Sequence, residues 1–600
     1  MSFTREPLQV VEIIQPLCSR TFGTSPCLAT GNRCWNTDAT CTFRTALNLT
    51  SSVVLRFVHP VAHRGPNPAD NFMLDEADQF LLDETDQPLE VEGDMVAFNA
   101  ATAIPSLMSV STAPTVLNVA AGNDDMSPLG LRAVADVVIK DHPFNDVGVD
   151  PYLSTRTYDP MQQGSFWTKW LARNPFHTGY ILRIYDGYAG DALGQMIKRE
   201  YSIERIDASR SQVRITAKDI LRRITDNALS APALSNGALS LNLAIGGTSF
   251  QAAGAVLADY PATGWVRINN EVIAYTGRAL VGGNVEFSGL TRGALNTTAA
   301  AHNQFDRVQR VLPYIDQPFQ NIIYDLLTVW GGIPASYIDK PAWDAEKLAW
   351  RDLFNFTAYL TDPVEVQQLV GEICQQAQAN IWWDERTQKI ILRAQRPNFA
   401  PGTISQEGNI IADSFSVEEV PKDRAAIVKV YYGLRNPTLS MTDQFSFRAA
   451  EAFIDVDKIA QYNGEAPEKK IFCRWINTAV LARALGGAYL IRFRDVRKHA
   501  TFALTANDIA DFWTGDIALI RHFLVANPDG SERVQQWLIT SAETVEQGGV
   551  YRFVAEDNGS AGLLWQWVAG GETRPATEIG GWVDEAGTDG AGNVLPYAWL

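Results

Sequence analysis

Short runs in which apolar and polar residues alternate, each closed by turn residues, recur along the chain and set the terms of any fold it can adopt. Residues 264–268 (GWVRI), a turn at Asn269 and Asn270, residues 271–275 (EVIAY) and a turn at Gly282 and Gly283 read as a meander. Residues 133–139, 180–185, 213–217, 426–432 and 550–554 have the same β character. A period of two sends alternate side chains to opposite faces, so such segments are stable only in sheets that bury one face. The predicted class is mainly β with some α (α+β), built from several β-barrel or sandwich domains.

A chain of 600 residues has room for about four domains. Composition shifts divide it into a Cys-rich metal-binding segment (1–55), an acidic linker or β segment (56–114) and a β-rich domain (115–232). An inserted β module (233–315), an α plus β-hairpin domain (316–400), a β-barrel domain (401–564) and a Gly-rich C-terminal arm (565–600) follow. The acidic near-repeat at 74–79 and 82–87 lacks the glycine and spaced oxygens of a calcium loop and reads as a solvated hairpin or linker. The clearest helix is predicted to open at Asp362 and Pro363, with Glu365 near its first amides. Val366, Leu369, Val370, Ile373, Cys374 and Ala377 then share one face, which makes Cys374 a core residue.

Fifty basic against 68 acidic side chains leave a net charge of −18, which excludes a surface that grips nucleic acid through clustered Lys and Arg. No stretch approaches the roughly 18 apolar residues that cross a bilayer, and the N-terminus lacks a leader pattern, so a cytosolic chain is expected. Seven histidines give little material for general-base chemistry. His59 and His63 flank Pro60, which opposes the helix a paired-histidine zinc site needs. His142, between Asp141, Asp146 and Asp150, reads as part of a capped turn. Nucleophile-elbow, phosphate-loop and dinucleotide motifs are absent from the sequence, and no enzyme is expected.

Chemistry concentrates instead at Cys18, Cys27, Cys34 and Cys41, spaced by nine, seven and seven positions in a Gly-, Thr- and Asn-rich segment without periodicity. Four thiolates suit tetrahedral zinc or an iron–sulfur cluster, and the spacing does not choose between them. The absence of a Cys-x-x-Cys knuckle lowers zinc, and a cytosolic setting lowers two disulfides; four unliganded thiols are the remaining alternative. Any ligand there would fasten the loops rather than turn over a substrate.

Several segments together resemble tail-tip proteins of long, flexible-tailed bacteriophages: 18–27 (CSRTFGTSPC), 31–41 (GNRCWNTDATC), 141–146 (DHPFND) and 164–175 (GSFWTKWLARNP). Residues 264–277, 289–293 and 301–302 are similar to a β module recurrent in phage tail proteins. In the second half, 492–495, 502–506 and 513–516 look like the β-barrel part of tail hubs. The resemblance implies a structural protein of the virion tail tip, assembled in the host cytoplasm. It implies a trimeric baseplate hub that closes the tail tube and seats a central fibre or spike. Its partners would be copies of itself and other tail proteins, with DNA passing during ejection without stable binding. Some such hubs carry a four-iron cluster on four cysteines, which would make Cys18, Cys27, Cys34 and Cys41 ligands of a 4Fe–4S centre; structural zinc is the alternative. Trp167 and Trp170 could serve ring contacts, although aromatic base rates favour the core. The rival reading is a receptor- or carbohydrate-binding appendage presenting aromatic platforms on the inserted module. A tail-borne cell-wall hydrolase is a third reading, without a visible acid–base pair.

Overall fold

The computed structural model describes residues 7–60, 103–122, 126–209, 211–225, 229–396, 398, 401–505, 512–546 and 549–558. The acidic near-repeat, His63 and the Gly-rich arm lie outside the described residues. The fold is mainly β with several sheets and a few helices, as the alternating patterns predict.

The N-terminal part is one antiparallel seven-stranded sheet. Its strands are β1 (Pro7–Leu17), β2 (Ser51–Val58), β3 (Leu107–Ala113), β4 (Val134–Lys140), β5 (Ile181–Tyr188), β6 (Ile197–Ala208) and β7 (Gln212–Lys218). They run in the order β2-β1-β5-β6-β7-β4-β3. Val213, Ile215 and Ala217 on β7 and Ala135, Val137 and Ile139 on β4 point to one core, whose other wall is helix α1 (Phe166–Arg173). That helix buries Phe166, Trp167, Trp170 and Arg173, one stripe at helical spacing. Trp167 and Trp170 are therefore core residues. Trp167 stacks on Phe57, and Trp170 donates its indole N–H to Gln15 at 2.7 Å.

The inserted module is a pair of four-stranded sheets. Phe250, Val285 and Phe287 from one and Val266, Ile273 and Tyr275 from the other share its core. Asn269 turns the hairpin between its two predicted strands in the left-handed region (φ 53°), and Gly282 and Gly283 do the same for the next.

Beyond the module, the largest core centres on the helix Val366–Ala377. This helix begins later than its sequence suggests. Val364–Glu365 is a short strand paired with Ser230–Ala231, so Asp362 and Pro363 precede a strand instead of capping a helix. Pairing with a distant segment satisfies the amides that the local cap would have served. Ala379–Asp384 and Lys389–Ala394 form the hairpin predicted after it. The same core takes in Val428, Val430, Ile471, Trp475 and Leu485, so it draws on residues from both sides of position 400. Ile427–Leu434 is the middle strand of a three-stranded sheet, and six further strands form a sheet whose edges, Thr403–Ser405 and Ser416–Val420, do not pair with each other among the described residues. It is an open sheet around Phe502, Trp537 and Phe553 rather than a closed barrel.

Gly371 lies buried in the central helix, where a Cβ would stand 2.1 Å from Cβ of Pro128. Gly371→Ala is expected to cost about 1–3 kcal/mol through overpacking, despite alanine's better helix propensity. A lower denaturant midpoint with an unchanged slope would show it, and an unchanged midpoint would mean that the loop bearing Pro128 yields freely.

Candidate functional site: the four-cysteine loop

The four cysteines occupy the connection between β1 and β2, adjacent antiparallel strands whose last paired residues here are Leu17 and Ser51. Residues 18–50 thus form a very long hairpin loop, far beyond the few residues such connections need. Its only regular element among the described residues is a single 3-10 turn, Arg44–Ala46. What holds it is side-chain chemistry.

All four cysteines are free thiols, with Cys27 buried and the others half-buried. Cys34 lies close enough to the other three for their charges to act on it. Burial raises the pKa of that thiol; a backbone hydrogen bond from Asn36 opposes the rise, and the charges of Cys41, Cys27 and Cys18 add to it. Each additional thiolate therefore disfavours the next, and only a cation or cluster among them would reverse the sign. Backbone N–H groups already point at sulfur: Asn36 toward Cys34, and Asn48 toward Cys18 Sγ at 3.5 Å. Asn36, in the left-handed region, also accepts from the Cys18 amide and donates its side chain to the Cys18 carbonyl. Among the described residues no group of three or more His, Cys, Asp or Glu is arranged to hold a metal ion. Four thiols and two backbone N–H groups aimed at sulfur supply the donor types of a thiolate-ligated centre, while the sulfurs are not disposed as its ligands in this structure.

The loop is clamped to the sheet domain by residues that sequence reasoning did not single out. The Trp35 ring lies beneath the guanidinium of Arg156 at 4.2 Å and near that of Arg173 at 5.1 Å. Arg156 donates to the carbonyls of Arg33 (2.6 Å) and Cys34 (2.8 Å) and grips the fully buried Asp150 with two nitrogens. Burial works to lower the pKa of Arg156, but Asp150 above all, then Tyr158 and Cys34, raise it. Thr37 donates to the carbonyl of Arg173, the last residue of α1, at 2.7 Å. The Tyr152 hydroxyl accepts from the Phe22 amide at 2.9 Å. The only sequence hint of this clamp was a tryptophan beside Cys34.

The 141–150 segment is the frame for that clamp. Asp141 accepts from the amides of His142 and Trp167 and from the Ser165 hydroxyl, while Ser165 caps α1 by accepting from Thr168. Asp146 pairs with Lys169 at 2.8 Å and Arg173 at 2.7 Å. The carboxylates around His142 are thus turn and clamp residues, as the capped-turn reading predicts, and His59 is exposed.

No protein-family model matches the chain, and no curated protein matches it either. Solved structures to which it is similar include tail proteins, baseplates and a type VI secretion system component. A tail protein from Neisseria meningitidis MC58 has 9% identity and a TM-score of 0.37, covering 76% of this chain and 99% of that one. The 43 kDa tail protein of prophage MuSo2 from Shewanella oneidensis has 8% identity and a TM-score of 0.37 over the same shares. A chain of the native gene transfer agent virion has 13% identity and a TM-score of 0.29, covering 55% of this chain and 85% of that one. Among the described residues no helix is long and apolar enough to cross a membrane.

Proposed function

We propose that this protein is a non-enzymatic structural component of a bacteriophage tail tip or baseplate. In this reading it is a hub that assembles with copies of itself, as a trimer, and with neighbouring tail proteins. One observation carries the reading. The stretches whose sequences resemble tail-tip proteins meet in one place: 18–41, the cysteine loop, packs against 141–146 and 164–175, its frame and α1, from about 100 positions away. Residues that share a resemblance and a location form one built joint. In it Cys18, Cys27, Cys34 and Cys41 would hold a 4Fe–4S cluster, with zinc as the alternative; either would act as a structural crosslink between loop strands. A net charge of −18 suits a wall past which DNA slides without sticking.

The rival carbohydrate-binding reading needs exposed aromatic platforms on the inserted module. There Tyr260, Tyr275 and Phe287 are buried and Trp265 meets Tyr359 edge-on at 5.5 Å; the exposed Phe305 stands without an aromatic ring partner among the described residues, which is one ring and not a platform. Negative-stain imaging of the purified chain and protein analysis of intact particles test the proposal. Rings, together with the protein in tails, are the expected result. A persistent monomer that is missing from particles would overturn it, and binding to glycans that disappears on deleting 233–315 would favour the rival.

A further inference from the structure

We propose that the cleft between the inserted module and the body is a binding site for a phosphate group. The cleft encloses roughly 220 Å³ where three pieces meet. The module contributes Leu295 and Asn296, the strand Asn355–Leu360 contributes Thr357 and Tyr359, and the body contributes Arg435, Arg448 and Arg474.

Its charge is the first argument. Three arginines line the cleft and no carboxylate does, in a chain with an excess of 18 negative charges. Arg435 and Arg448 are exposed and Arg474 is half-buried, and like charges gathered in a concave space raise the local potential and concentrate anions. The occupation of those guanidiniums is the second. Arg474 uses Nε and Nη2 on Glu372, at 2.8 and 3.2 Å, and Arg435 spends Nε on the carbonyls of Phe445 and Phe447. Arg448 has no ion-pair or hydrogen-bond partner among the described residues, and its stem lies along Gly433, whose φ of +68° opens space for it. Two arginines are therefore fixed by other contacts and one is uncommitted, a set that can close on an oxyanion without first breaking an internal ion pair.

Backbone conformation supplies a third observation. Leu295 and Asn296 are consecutive non-glycine residues in the left-handed region, with φ of 54° and 62°. Such strain persists where surrounding structure imposes it, and Asn296 reaches across the seam to donate to the Arg435 carbonyl at 3.2 Å. The remaining lining, Thr357, Asn436 and Asn477, offers further hydrogen-bonding groups. Guanidinium forks approaching from three separate segments match the several oxygens of a tetrahedral phosphate better than the two of a carboxylate. A phosphate here would tie the module to the body. This site does not depend on the tail reading.

Titration of the full chain with inorganic phosphate, followed by calorimetry at ionic strength matched with NaCl, tests the proposal. Saturable binding is expected, weakened roughly tenfold or more in Arg448→Gln, since a charged hydrogen-bond donor is lost. Arg448 is exposed, so the variant is expected to melt with wild-type midpoint in the absence of phosphate. A parallel arm with glycerol 3-phosphate separates the sources: equal affinity marks a site for the free ion, and tighter binding marks one for a phosphate ester. No binding above the NaCl baseline, equal affinity in wild type and Arg448→Gln, or tighter binding of acetate than of phosphate would each overturn it.

Discussion

Cys34→Ser is expected to give a protein whose residues 18–48 exchange amide hydrogens far faster than wild type, while β1 and β2 remain protected. The reason lies in how little else orders this stretch. Apart from one 3-10 turn it has no regular structure, and Cys34 is the point on which the other three thiols act. If the four hold a cluster, wild type purified without oxygen is brown with broad absorption near ~400 nm, and the variant loses colour and iron. If they hold zinc, wild type is colourless with one equivalent of metal, which the variant loses. A wild-type protein free of both metals, with exchange unchanged by Cys34→Ser, would show that the thiols serve no ligand. Arg156→Ala separates the clamp from the centre. It removes the donors to the carbonyls of Arg33 and Cys34 and strands buried Asp150, so the loop is expected to loosen even though all four sulfurs remain.

The second large effect is expected at Glu556, where Glu556→Ala should destabilise the protein by about 3–5 kcal/mol. This carboxylate, on the strand Val550–Asp557, receives Arg492 from the helix Ala479–Phe493 and Arg497 from the strand Arg497–Thr505. All three side chains are more than nine-tenths buried, so removing the acid leaves two guanidiniums uncompensated where water cannot reach them. Burial alone would raise the Glu556 pKa, but Arg497 and Arg492 outweigh it and hold the carboxyl at about 2. A depressed pKa stabilises the fold fully above the unfolded value near 4.5, and that contribution is lost as pH falls toward 2. The gap in stability between wild type and Glu556→Gln should therefore be widest above pH 5 and narrow at pH 3, as equilibrium denaturation at the two pH values would show. A gap independent of pH would mean that packing rather than charge ties helix to sheet.

Local rules carried far where the deciding physics was local. The strands of the inserted module, its Asn269 and Gly282–Gly283 turns, and the capped turn around Asp141 were all readable, because alternation and turn chemistry act within a few residues. The start of the central helix was not. Asp362 and Pro363 carry a proper start signal, yet Val364–Glu365 pairs with Ser230–Ala231, more than 130 positions away, and no local pattern contains that partner. Arg156 escaped notice for the same reason. In sequence it is an arginine between Thr155 and Thr157, and only the fold lays it across Trp35 and against Asp150.

Composition and periodicity by themselves determined that this chain makes β walls with few helices, and that four of its six thiols fall in one loop-rich segment. They did so because strand patterning and ligand count are written residue by residue. Tertiary structure alone decided that Cys34 feels the charges of the other three loop thiols, that α1 and Asp150 clamp their loop, and that three arginines, one of them paired with Glu372, line one seam. Each of these depends on long-range burial and pairing, whose energy belongs to contacts between segments and to no segment taken singly.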